Sequence, residues 1–133
     1  MKNNDIHIIR EEKCSTGTIT LRSDKILMYQ PFEYINTVNV DELKEMYAIF
    51  MDITGGVPHL YYTDNSNTKS FGAEERVLVS NTFHHFASAC GIKENSAITR
   101  FITHSIVYLN KPQIPLKMFK TEAAAIEWLK SLN

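Results

Sequence analysis

The sequence has few cysteines, no long apolar run and no excess of charge of either sign. Its two cysteines, Cys14 and Cys90, form no CxxC spacing. No apolar run approaches the roughly 20 residues that are needed to cross a bilayer. The opening residues also lack the apolar stretch of a secretory signal. These absences lead us to expect a cytoplasmic protein with no transmembrane segment and with both thiols reduced.

The charge balance argues against nucleic acid as a partner. The chain has 14 basic and 15 acidic residues, a net charge of −1, and no basic stripe that would bind a phosphate backbone. Its 133 residues suit one domain, 1–133, with a core that needs neither metal nor disulfide.

Motifs for catalysis and for cofactor binding are missing. The sequence contains no GxSxG, no P-loop, no GxGxxG and no HExxH pattern. His84 and His85 are adjacent, so on a helix their rings point about 100° apart, which is poor geometry for one metal ion. We therefore expect no enzyme, no metal and no cofactor. A deep cleft holding two of Asp64, Glu75, Arg76 and His85 would reverse that expectation.

The first half of the chain predicts a β-meander, a helix and a further strand. Residues 6–10 are rich in β-branched side chains, and residues 18–22 alternate Thr with apolar residues, so both predict strands. Residues 25–30 then predict the returning strand after a turn at Ser23-Asp24. Asn39 and Glu42 have the spacing of a capping box, and Gly55-Gly56 then ends the helix. Residues 59–63 (HLYYT) follow as an aromatic strand.

The second half alternates helices with strands. We predict helices at 73–83, at 98–109 and after Thr121, and a strand at 116–120. Residues 86–92 fit either a buried strand or a helix end, and either Asn95 or Ser96 can cap the third helix. The apolar face of that helix would contain Ile98, Phe101, Ile102, Ile106 and Leu109. Such alternation implies parallel pairing, so with the meander it predicts a mixed sheet covered by helices.

The C-terminal segment SAITRFITHSIVYLNKPQIPLKMFKTEAAAIEWLKSLN resembles the SpoIIAA-like branch of the STAS-related proteins, in particular its uncharacterised bacterial members. The shared features are a helix ending in Asn-Lys-Pro, a Pro-containing strand entry and a closing A-x-x-W-L helix. The front half is similar too, and the likeness extends from about Ile19 onward. The resemblance implies a STAS-like α/β fold: a mixed sheet with an N-terminal antiparallel meander and four helices, in which residues 86–92 form a strand.

The polar loop 64–72 is the first candidate site. It follows a predicted strand, and open α/β sheets bind ligands at the carboxyl ends of their strands. The alternative is an ordinary connection whose polar residues satisfy turns. In STAS anti-sigma antagonists a phosphorylatable serine lies in this loop, within an Asp-Ser-Ser-Gly-Leu motif that is absent here. Ser70 is the nearest counterpart, so the resemblance implies a phosphorylation or partner site at Asp64, Thr68 and Ser70.

A second candidate is an adaptable apolar pocket lined by methionine and aromatic residues. Its candidate residues are Met28, Met46, Phe50, Phe101 and Tyr108. The same residues also suit a plain core, although the likeness of the STAS fold to the lipid-binding CRAL-TRIO lobe favours a pocket. Two hypotheses therefore stay open: a regulatory module that binds a protein partner, and a binder or sensor of a small apolar ligand. An exposed edge at residues 6–10 also leaves a homodimer open.

Overall fold

The computed structural model describes residues 5–107 and 113–132. Six strands form one sheet in chain order: β1 Ile8–Lys13, β2 Gly17–Arg22, β3 Ile26–Pro31, β4 His59–Asp64, β5 Ala87–Lys93 and β6 Leu116–Phe119. The first three strands are antiparallel, and β3 to β6 are parallel. The helices are α1 Val40–Thr54, α2 Ala73–Thr82, α3 Ala97–Ser105 and α4 Glu122–Ser131. The predicted mixed sheet with an antiparallel meander and four helices is confirmed.

Local capping explains where α1 begins and ends. Asn39 Oδ1 accepts from the Glu42 amide at 2.8 Å, while Glu42 Oε1 accepts from the Asn39 amide at 2.9 Å. This reciprocal pair satisfies two amide groups that the helix cannot satisfy itself. Gly55 has a φ of 65°, which is the left-handed conformation that ends many helices and suits glycine.

The sheet separates two apolar cores. Leu27, Tyr29, Tyr61, Cys90 and Ile92 face α1 and α2, together with Met46 and Phe50 of α1. The alternate residues of the same strands face α4, where Ile26, Leu60, Tyr62 and Ala89 pack against Ala125, Ile126 and Leu129. Side chains of a strand alternate between faces, so consecutive residues enter different cores.

Several element boundaries differ from the sequence prediction. The first strand covers Ile8–Lys13 instead of 6–10, and its Ile8 and Ile9 stay exposed at the edge of the sheet. Residues 86–92 do form a strand, at Ala87–Lys93, and Ser96 rather than Asn95 caps α3. Among the described residues no helix has the length and apolar character to cross a membrane.

The buried face of α3 differs from the predicted one. Ile102 and Ile106 are buried as expected, but Ile98 is 53% exposed and Phe101 is 71% exposed. Thr99 and Thr103 are buried in their place. Their hydroxyls donate to the carbonyls of Ser96 and Thr99, at 3.0 and 3.1 Å, so these two side chains enter the core with their hydrogen bonds already made. Leu109, also assigned to this face, lies outside the described residues.

Candidate functional site

A cavity of about 90 Å³ lies between the sheet and the helices that cover its α1–α2 face. Tyr29, Tyr61 and Cys90 line it from three adjacent strands. Three helices contribute further lining residues: Met46 of α1, Val79 of α2 and Ile102 of α3. Ile106, the residue after α3, lines the cavity as well. At the carboxyl ends of β3 and β4 the lining includes Pro31, Asp64 and residues of the loop 65–72, and we refer to this end of the cavity as its mouth. Open α/β sheets place their ligands at this edge.

The lining residues of β3 and β4 include four with polar side chains: the hydroxyl-bearing Tyr29, Tyr61 and Thr63, and the carboxylate Asp64. The Tyr29 hydroxyl is 2.7 Å from Thr16 Oγ1. Burial raises the pKa of Tyr29 to about 12. It also raises the pKa of Tyr61 well above its ordinary value, against the opposing effect of a hydrogen bond to Thr63. Both phenols are therefore neutral at physiological pH, and they add hydrogen-bonding capacity to the cavity without adding charge.

Asp64, the last residue of β4, is held in place at the mouth. Its Oδ1 accepts from the Ser66 amide at 2.9 Å, and its Oδ2 accepts from Gln30 Nε2 at 3.1 Å. Lys93 Nζ lies 3.9 Å from Oδ2. Desolvation raises the pKa of Asp64, but the hydrogen bonds from Ser66 and Gln30 and the charge of Lys93 outweigh it, so the pKa falls below its usual value. Asp64 is thus an anchored carboxylate at neutral pH.

The loop 65–72 is hydrogen-bonded to the segment 32–39 on the other side of the mouth. The Lys69 amide donates to the Asn36 carbonyl at 2.8 Å, and Thr37 Oγ1 donates to the Ser70 carbonyl at 3.2 Å. Thr37 and Thr68 both line the cavity, whereas the Ser70 side chain is exposed. The two segments therefore form the rim of the cavity as one connected unit.

The start of α2 is already negatively charged. Gly72 is its N-cap residue and supplies no side-chain hydrogen bond, while Glu74 and Glu75 occupy the first turn. The Glu75 carboxylate fills the space that a Cβ on Gly72 would take. A phosphate on the neighbouring Ser70 would meet two carboxylates at a helix end that otherwise favours anions.

The candidate residues from the sequence fall in different places. Asp64, Thr68 and Met46 line the cavity. Phe50 belongs to the same core but does not line the cavity, and Met28 packs on the α4 face because it alternates with Tyr29 along β3. Phe101 is solvent-exposed on α3 for the reason given above, and Tyr108 lies outside the described residues.

The sequence analysis did not assign Tyr29, Thr63 or Cys90 to a pocket. The signal that could have found them is strand alternation: Tyr29 follows Leu27 by two residues, Thr63 follows Tyr61, and Ile92 follows Cys90. That alternation does not reveal which face of the sheet carries the cavity.

The histidines do not form a metal site. The rings of His84 and His85 lie 4.2 Å apart, and Tyr47 Oη is 2.7 Å from His85 Nδ1. Within residues 5–107 and 113–132, no three side chains of His, Cys, Asp or Glu converge in a way that could hold a metal ion.

This architecture is a SpoIIAA-like fold. The structure is similar to the crystal structure of an uncharacterized protein of the DUF3478 family with a SpoIIAA-like fold from Shewanella loihica PV-4. The TM-score is 0.59, and the match covers 97% of this chain and 98% of the other at 14% identity. Residues 19–133 match the family DUF7793, a domain of unknown function, and the chain belongs to that family. No curated protein matches the sequence.

Proposed function

We propose that this protein is a STAS-like binding module whose cavity holds a small, mainly apolar molecule. The observation that carries the proposal is the cavity itself, a space of about 90 Å³ between protein atoms that reaches the edge where α/β sheets bind ligands. The fold alone would not support this function, because one fold can have many functions.

Energetics favour an occupant. An apolar molecule in the cavity would make packing contacts with the lining side chains and would remove its own surface from water. The space suits roughly six groups of the size of a water molecule, so the natural ligand is a small one unless the rim opens.

A second candidate is binding of a protein partner under phosphorylation control at Ser70 or Thr68. The exposed Ser70 side chain on the rim favours it, because a phosphate there would act on the segment that closes the cavity. Glu74 and Glu75 oppose it electrostatically. Incubation with cell extract and ATP, followed by intact-mass measurement, tests it. An unchanged mass, together with unchanged pull-down partners for Ser70→Ala, would count against this candidate.

Native mass spectrometry tests the binding proposal. Protein purified from its source should have a co-bound small molecule that is lost on denaturation. Val79→Phe places a ring in the cavity and should abolish the added mass. Val77→Phe on the same helix is the matched control, because Val77 is 47% exposed and does not line the cavity. A clean apo mass for the wild type, or an added mass that survives in Val79→Phe, would overturn the proposal.

A further inference from the structure

We propose that the segment 32–39 and the loop 65–72 form a gate, and that a ligand enters the cavity when the two move apart. This inference concerns the route into the cavity, so it rests on the proposed function. Both segments contribute lining residues: Ile35, Thr37 and Val38 from one side, and Asn65, Thr68 and Phe71 from the other. An opening between the two segments would therefore lead directly into the cavity.

Backbone structure distinguishes this part of the cavity wall from the rest. Neither the segment 32–39 nor the loop 65–72 contains a helix or a strand. The other described lining residues belong to strands or helices, except that Ile106 directly follows one. Separating two strands would break the hydrogen-bond ladder of the sheet, and lifting a helix would expose an apolar core. Irregular segments open at a lower cost, so the rim is the part of the wall that opens most readily.

Three hydrogen bonds hold the gate closed. Two of them, described above, are donated by the Lys69 amide and by the Thr37 hydroxyl. In the third, Asn67 Nδ2 donates to the Glu33 carbonyl at 3.3 Å. All the residues that make these three bonds are exposed. Water can therefore replace each bond when the segments part, and opening leaves no buried polar group unsatisfied.

The segment 32–39 is anchored at both ends, which limits the motion to its middle. The Phe32 amide donates to the Thr16 carbonyl at 2.9 Å, and Asn39 at the other end belongs to the capping box of α1. In the described part of the chain, the hydrogen bonds of residues 33–38 go to this segment itself and to the loop 65–72. Breaking the three gate bonds therefore frees residues 33–38 to move outward while the sheet and α1 stay in place.

Benzene exchange measured by NMR tests the gate. Benzene is a compact apolar molecule, and apolar cavities in proteins bind it. Val79→Phe should abolish binding, which would establish that benzene occupies the cavity. A gate limits how fast benzene enters and leaves. It leaves the dissociation constant unchanged, because the gate is closed in both the free and the bound protein.

A disulfide between the two segments should lock the gate. Asn36 and Lys69 are the sites, because their backbones lie within hydrogen-bond distance and neither residue lines the cavity. In Asn36→Cys/Lys69→Cys, oxidation should slow both the association and the dissociation of benzene by about tenfold or more, and a reducing agent should restore both rates. Peptide mapping confirms the intended pair, since the native Cys14 and Cys90 are buried.

Asn67→Ala should have the opposite effect. It removes the hydrogen bond to the Glu33 carbonyl and changes no lining residue, so both rates should rise about threefold, as the loss of one hydrogen bond allows. Asn81→Ala is the matched control, because Asn81 is exposed on α2 and does not line this cavity. Both rates should stay at the wild-type values in that variant.

Three results would overturn the inference while leaving ligand binding intact. They are unchanged rates in the oxidised protein, no acceleration in Asn67→Ala, and a cysteine pair that fails to oxidise, which would show that the two segments are not adjacent. If benzene perturbs no cavity residue of the wild type, the proposed function itself fails and the inference fails with it.

Discussion

Tyr61 and Tyr62 are consecutive residues of β4, each 1% exposed, yet their rings lie in two separate cores. Tyr61 packs edge-to-face against Phe50 at a ring distance of 5.2 Å and lines the cavity. Tyr62 packs among the residues beneath α4, where its hydroxyl has no hydrogen-bond partner in the described part of the chain. Tyr61 is therefore placed to contact a molecule in the cavity, whereas Tyr62 contributes to the packing beneath α4.

Tyr62→Phe should stabilise the protein. Its buried hydroxyl is an unsatisfied polar group, which costs about 1–3 kcal/mol, and phenylalanine keeps the ring. We expect the free energy of unfolding in urea to rise by about 1 kcal/mol. The Tyr61 hydroxyl is not one of the buried unsatisfied groups, so Tyr61→Phe should not give this gain. A loss of stability in Tyr62→Phe would mean that the hydroxyl has a partner, such as an ordered water.

The stability conferred by Asp64 should depend on pH in the acidic range. Its folded-state pKa lies below the ordinary aspartate value of 3.8, so its contribution is complete above about pH 5 and is lost as the pH falls through the lowered pKa. Asp64→Asn should lower the free energy of unfolding at pH 7 by about 1.5–3 kcal/mol, the range for hydrogen bonds to a charged group.

Urea titrations of both proteins from neutral to acidic pH measure this effect. The gap between wild type and Asp64→Asn should narrow as the pH drops below about 4. Asp41→Asn, an exposed site in the first turn of α1, should change stability by less than about 0.5 kcal/mol and is the control. A gap that stays constant with pH would show that the charge of Asp64 contributes nothing.

Neighbouring substitutions on α3 should have opposite outcomes. Phe101→Ser changes a side chain that is 71% exposed and should alter the free energy of unfolding by less than about 0.5 kcal/mol. Ile102→Ala removes buried methyl groups from the cavity wall and should cost about 2 kcal/mol. Thermal and urea unfolding of the two variants compare them directly. A larger loss of stability in Phe101→Ser than in Ile102→Ala would contradict the exposure of Phe101 and support the buried face that the sequence predicted.

Cys90 should be a chemical reporter of the cavity. Its side chain is fully buried, and desolvation raises the pKa of its thiol, so very little reactive thiolate forms. In a Cys14→Ser background, reaction with Ellman's reagent should be at least tenfold slower for the folded protein than for the protein unfolded in urea. A Ser88→Cys variant that lacks both native cysteines should react fast, since Ser88 is exposed on the same strand. Fast labelling of native Cys90 would contradict the burial seen here.

The sequence was sufficient for the elements whose signals are local. The Asn39–Glu42 box and Gly55 set the limits of α1 by hydrogen bonds within a few residues, and strand alternation marked β2 and β3. Residues 86–92 had no such local signal, because small side chains fit a buried strand and a helix end equally well. Only the likeness to SpoIIAA-like proteins favoured the strand.

The cavity could be predicted less well because it is built by contacts across the whole sheet. The strand-to-loop transition pointed to the loop 64–72, and the resemblance implied a phosphorylation or partner site there at Asp64, Thr68 and Ser70. Asp64 and Thr68 line the cavity, whereas the Ser70 side chain is exposed. Met28 was assigned to the pocket because its residue type fits one, but only pairing with β4 and the position of α4 show that it faces away. Phe101 was assigned to the buried face because it is hydrophobic. Two threonines are buried instead, and hydrophobicity does not predict this because their hydroxyls hydrogen-bond to backbone carbonyls one turn earlier.

The position of α4 has a practical consequence for optical spectroscopy. Trp128, the single tryptophan of the sequence, lies beside Phe119 at a ring distance of 5.7 Å on the side of the sheet opposite the cavity. Trp128 emission should therefore change when the protein unfolds and stay constant when a ligand enters the cavity. Tyrosine emission should respond instead, because Tyr29 and Tyr61 line the cavity, so one sample can report folding and ligand binding separately.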